Sequence, residues 1–243
     1  IIESQYITRS LSNRADHLIT EAEYLSRQNN LTTQLSNLSL QLYQRLIKAG
    51  YAKNDSEYKE ITHFFYKNIP DVELEKLGFR EKLWYYKAHV WYGFLTQDFL
   101  ATYRYAAKWV EMFEENPQMI PLHPVFYLKG NNYLMESLSL IKYPVKFKSV
   151  LNLMYQRTES NEFPVNDNLK ALNFQFYFSN RLNLCFMEGV FEEGVSLVPK
   201  IIAGIETFHN QIDPHHVMLF YYKIACLYFG KSDYEKCIFY LDK

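Results

Sequence analysis

The side chains of this 243-residue chain that could do chemistry are few and scattered. His215 and His216 follow Asp213-Pro214 at the start of an expected helix. Neighbouring residues diverge by about 100° on a helix, so two adjacent imidazoles rarely share one metal ion. A polar helix start accounts for them. His123 lies between Leu122 and Pro124 with no Cys or carboxylate close by in the chain, and His209 stands alone. The sequence holds no HExxH, no CxxC and no phosphate-binding glycine loop. Glu111, Glu114 and Glu115 suit a solvated helix end rather than a carboxylate pair for acid–base work. Cys185, Cys226 and Cys237 are too few and too scattered for a disulfide framework. All three fall in apolar stripes and read as buried thiols. Asn30-Leu31-Thr32 and Asn37-Leu38-Ser39 match glycosylation acceptors, but both lie in stretches with a helical pattern. The chain therefore reads as non-enzymatic, with no catalytic residue, metal site or cofactor expected.

Composition bounds the class. A hydrophobic share of 48% is ample for a core and argues against disorder. Aromatic residues are abundant, with 21 Tyr and 18 Phe; a Tyr ring buries while its hydroxyl stays wet. Only 8 Gly and 8 Pro are present, too few for the many turns of an all-β fold. A net charge of −1 gives no basic footprint, so no nucleic acid is expected as partner. No apolar run reaches the ~18 residues of a membrane span. The chain starts at Ile1, not Met, which points to a fragment of a longer protein whose signal peptide or partner domain would lie outside it; a cytoplasmic location is expected.

Taken in order, residues 3 to 28 read as one helix, with Ile7, Leu11, Ala15, Leu18, Ala22 and Leu25 on one face. Asn29-Asn30 is expected to break it. A second helix then carries Leu35, Leu38, Leu42, Leu46 and Ala49, and Gly50 closes it. Asn54-Asp55-Ser56 caps a third, with Tyr58, Ile61, Phe65 and Ile69 inward and Pro70 as its stop. After a linker at 71–79, Arg80 to Leu95 is strongly aromatic. Phe99 to Glu114 follows, with Tyr103, Ala106, Ala107 and Val110 inward. Helices are further expected over 121–141, 144–157, 166–188 and 191–205, the last carrying Pro199. Pro70, Pro117, Pro164 and Pro214 recur about every 47 to 50 residues, a period that points to a helical solenoid.

The last stretch, Val217 to Lys243, is the most regular. Tyr221, Ile224, Ala225, Tyr228 and Phe229 share one face. Gly230 is free to take a positive φ and end the helix, and Ser232 or Asp233 to cap the next. Tyr234, Cys237, Ile238 and Leu241 form the facing stripe, and the small Ala225 and Cys237 let the axes approach. This spacing resembles a tetratricopeptide repeat. Tyr221, Ile224, Ala225, Tyr228, Tyr234, Cys237 and Leu241 fall where that family places its large, large, small, large, aromatic, small and large residues. Phe191 with Gly194 repeats the placing of Tyr234 with Cys237. The likeness covers most of the chain by architecture and about 178–243 by motif, and it fails position by position over 143–157.

The resemblance implies an all-α, α-α superhelix: a right-handed solenoid of about five antiparallel helix hairpins forming one domain over 1–243. In such an array each hairpin is incomplete without its neighbours, and first helices line the inner wall. In that register the wall carries Trp84, Lys87 and Trp91, then Lys129, Asn132 and Tyr133, then Phe176, Ser179 and Asn183, then Tyr222 and Lys223. Rings, amides and lysines there suit an extended peptide, so the expected partner is a protein or peptide. The plainer reading makes the aromatics core between hairpins and Lys87, Lys129 and Lys223 a solvated face. Some members of the family grip a C-terminal carboxylate through set Lys and Asn positions. Asn183 matches one place, but Ser179 stands where the Lys would be, which argues against that clamp. Two other readings stay open: a sensor or regulatory arm of a larger signalling or transcription-regulating protein, and a small-ligand binder using the belt from Trp84 to Phe94.

Overall fold

A computed structural model describes residues 12–160 and 163–243, with side chains from Asp16 onward in the first segment. Ile7, Leu11 and Ala15 of the expected first stripe lie outside those described side chains. Among the described residues the chain is all-α, ten α-helices and no strand. It divides into two compact units, Ile1–Tyr105 and Ala106–Lys243.

In the first unit, α1 runs without a break over Ser12–Ala49. The expected interruption at Asn29-Asn30 does not occur. An interior Asn costs only a few tenths of a kcal/mol against better helix formers, and leucines on either side keep the chain in register. The two glycosylation-like triplets lie inside this helix. Its second half packs through Leu35, Leu38 and Leu42, all buried, whereas Ala22, Leu25 and Ala49 are exposed. Gly50, at φ +74, ends it.

Helix α2 spans Asp55–Asn68. Asn54 caps it by accepting from the Glu57 N–H, and Glu57 reaches back to the Lys53 N–H at 2.9 Å, a reciprocal cap. Ile61 and Phe65 are buried, but Tyr58, expected inward, is exposed. Helix α3, Phe79–Thr96, packs against both α1 and α2. Phe65 is the hub of that junction. It stacks on Tyr92 at 4.2 Å and meets His89 edge-on at 5.0 Å. Gln97 turns the chain in the left-handed region, and Asp98 caps α4, Phe99–Glu115, by accepting from the Ala101 N–H.

Tyr103 of α4 is half-buried in the first unit; the second unit takes in the end of α4, where Ala106 and Val110 are buried, Ala107 is half-buried and Trp109 is fully buried. Then come α5 (Pro124–Leu140), α6 (Pro144–Thr158), α7 (Asp167–Glu188), α8 (Phe191–Thr207), α9 (Pro214–Gly230) and α10 (Tyr234–Leu241). Asn166, Asp213 and Asp233 cap α7, α9 and α10 with their side chains, and Gly189 ends α7 at φ +70. Helix α5 packs on α6 and α7, α7 on α8 and α9, α8 on α9, and α9 on α10. Pro199 sits on the exposed side of α8 without ending it.

Small residues set these approaches. A Cβ on Gly204 would lie 1.9 Å from the Phe174 ring, and one on Gly130 2.9 Å from the Trp109 ring. Gly194 faces Leu227 of α9 as closely. Gly230 does not act through a positive φ: it is the last helical residue, pressed against the Phe191 ring, and Ser232 takes the left-handed turn instead. In α10 only Cys237 is buried; Tyr234, Ile238 and Leu241 of the expected facing stripe are exposed. One eight-residue helix on one neighbour covers a single row of side chains.

Glu114 corrects another expectation. It is part-buried: one carboxylate oxygen accepts from the buried Tyr127 hydroxyl at 3.3 Å and the other from Arg157 at 3.2 Å. Burial first, and then this carboxylate, push the Tyr127 phenol well above its usual range.

Candidate functional site

The residues singled out for an inner wall divide by unit. In the first, Lys87 sits over the Trp84 ring at 4.4 Å, so the two are partners of each other. Trp91 is only 5% exposed and packs on Tyr43 at 4.8 Å, a core position.

In the second unit the first helices of the three hairpins, α5, α7 and α9, stand side by side, and two polar rungs join them. Asn180, buried on α7, donates from Nδ2 to Asn132 Oδ1 on α5 and to the Phe176 carbonyl, both at 2.8 Å. The Lys223 ammonium on α9 donates to Ser179 Oγ at 2.6 Å and more loosely to the Ser179 carbonyl at 3.4 Å. Asn132, Ser179 and Lys223 are thus brought into one continuous polar face, with Phe176 half-buried beside it. Tyr222 is exposed on α9. Tyr133 points elsewhere, its ring 5.8 Å from that of Trp109.

Glu136 stands on the same face of α5, four residues on from Asn132. Its side chain is exposed, yet the surrounding helices crowd it. That loss of hydration raises its carboxyl above the usual range, and the Lys223 charge draws it partly back. Burial pushes Lys223 down to about 8, and Glu136 opposes the shift. No ion pair between the two occurs among the described residues; the Lys223 ammonium is held on Ser179 instead, within reach of the Glu136 charge.

Two cavities flank the Asn132–Asn180 rung along the α5–α7 groove. One, of about 570 Å³, is lined by Ser139, Lys142, Pro144, Asn183, Phe186 and Met187. The other, of about 430 Å³, takes in Pro124, Val125, Lys129, Leu172, Gln175 and Gln211 among its walls. Each has apolar walls and one lysine, the first with a single carboxamide, Asn183, and the second with several, and neither is lined by a carboxylate. Lys129 and Asn183 are among the residues that the sequence places on the wall. Glu136, Ser139, Lys142, Gln175, Asn180 and Gln211 are not. Glu136 was within reach, since Lys129, Asn132 and Glu136 recur at three and four residues.

His216 is half-buried at the start of α9, and burial lowers its pKa, helped by His215. Its ring lies 5.8 Å from that of His215 at a steep angle, and no metal-binding cluster occurs among the described residues. Cys185 and Cys237 are buried and Cys226 is half-buried; no disulfide joins them. No described helix is long and apolar enough to cross a membrane. No protein-family model matches the chain, and neither a curated protein nor a solved structure matches it significantly.

Proposed function

We propose that this chain is a non-enzymatic scaffold of tetratricopeptide-like hairpins that binds an extended peptide along α5, α7 and α9. One observation carries the reading. Asn180–Asn132 and Lys223–Ser179 tie three successive first helices into a single polar surface, and cavities with apolar floors open beside it. An extended peptide needs both features: amides for its backbone and recesses for alternate side chains. The packing of each hairpin on the next, α5 on α7 and α7 and α8 on α9, supports the repeat character, since such arrays are held by nearest-neighbour contacts.

The test is selection of a phage-displayed random peptide library on the purified chain, followed by affinity measurement on the enriched peptides. Asn183→Ala combined with Tyr222→Ala removes two open side chains and should weaken binding about tenfold or more. Failure to enrich any peptide, or unchanged affinity in the double variant, overturns the reading.

A further inference from the structure

The charges along α5 and the turn that follows it alternate. Lys129 lines one cavity, Glu136 stands near the rung, and Lys142 lines the other cavity. Neither lysine forms an ion pair among the described residues. The ammonium of Lys223, opposite Glu136, is held on Ser179. The centre of the groove is therefore charge-balanced and each end is positive. Lys142 sits in the left-handed turn two residues past the last helical residue, Leu140. At about 1.5 Å rise per residue α5 climbs about 16 Å from Lys129 to Leu140, so the two lysines are roughly 16–20 Å apart. An extended peptide covers that distance in about five or six residues at roughly 3.3 Å each.

Resting on the peptide-binding reading above, we infer that the groove selects an acidic peptide of defined spacing. Two Asp or Glu side chains about six residues apart meet Lys129 and Lys142, and a neutral or basic residue passes Glu136 between them. Apolar side chains next to each acid enter the floors, Phe186 and Met187 at one end and Val125 and Leu172 at the other. Asn183, Gln175 and Gln211 meet the peptide backbone, as carboxamides both donate and accept. A nucleic acid fits worse, because its evenly spaced phosphates would have to cross the Glu136 carboxylate.

The test uses the whole chain and peptides enriched on it. Their sequences should show paired acids about five to seven residues apart, matching the extended-strand spacing. Lys129→Gln and Lys142→Gln should each weaken binding by about five- to tenfold. Glu136→Gln should admit an acid at the central position that the unaltered chain rejects. Thermal melts of the variants check that they fold. Enriched peptides without the acid pair, affinities indifferent to both lysines, or equal binding of a single-stranded oligonucleotide overturn the proposal. If peptides bind and depend on Asn183 and Tyr222 but show no acid pair, only this inference falls. If no peptide is enriched at all, the peptide-binding reading falls and takes this inference with it.

Discussion

The two units weight rings and glycines differently at their helix contacts. In 1–105, rings fill the junctions: Phe65, Tyr92 and His89 interlock, and Trp91 lies against Tyr43. In 106–243, absent side chains do much of the same work, at Gly130, Gly194, Gly204 and Gly230. Filling a junction with rings turns the large side chains inward. Closing it with glycine seats α8 against α7 and α9, and α5 against the Trp109 ring of α4, and the polar residues that join α5, α7 and α9 lie outside these contacts. The contrast explains why the aromatic belt, conspicuous in the sequence, contributes core, while the less conspicuous α5–α7–α9 face carries the candidate site.

The largest effect expected from breaking this contrast is at its aromatic hub. Phe65→Ala removes a fully buried ring and should cost about 3–5 kcal/mol. Hydrogen exchange should show the loss in the α1–α3 amides; unchanged protection there would contradict the hub role. Next comes Gly204→Ala, which forces a methyl into the Phe174 ring. It should cost about 1–3 kcal/mol by overpacking, read as faster exchange in α7 and α8. A neutral result would mean that the helices yield and that glycine is not required at this contact.

A smaller effect is expected at the rung. Asn180→Ala leaves Asn132 without its donor and should cost about 1–2 kcal/mol, with peptide affinity falling as α5 and α7 loosen. The smallest is a pH slope. Lys223 titrates near 8 when folded and near 10.5 when unfolded. Between those values the unfolded chain binds more protons, so this group makes stability rise with pH. Denaturant midpoints measured from pH 8 upward should rise less in Lys223→Gln than in the unaltered chain. Glu136 has the opposite sign. Its raised folded pKa makes stability fall as pH climbs above about 4.5, and Glu136→Gln should flatten that fall.

Much of the helical layout was legible in the sequence because capping chemistry is local. Asn54, Asn166, Asp213 and Asp233 begin their helices with side-chain bonds to the next turn, and Gly50 and Gly189 end theirs in the left-handed region. Asn29-Asn30 misled because a weak helix former between two strong leucine patterns changes propensity without ending the helix. Glu114 misled because its partners, Tyr127 and Arg157, come from two other helices. The same limit applies to the site. Spacing along α5 assigns Lys129 and Asn132 to a face, but only the neighbouring helix turns Lys142 and Asn183 into walls of one cavity.

The undivided α1 has a kinetic corollary. Its 38 residues span about 57 Å, yet from Asp16 to Asn30 almost every side chain faces solvent. A helical stretch of that length without tertiary cover is only marginally stable in water. Amide deuteration along this single rod should therefore be graded, fast before Leu31 and slow around Leu35 to Leu42. The opening of its front half should then report on anything that comes to lie along Leu18, Ala22 and Leu25.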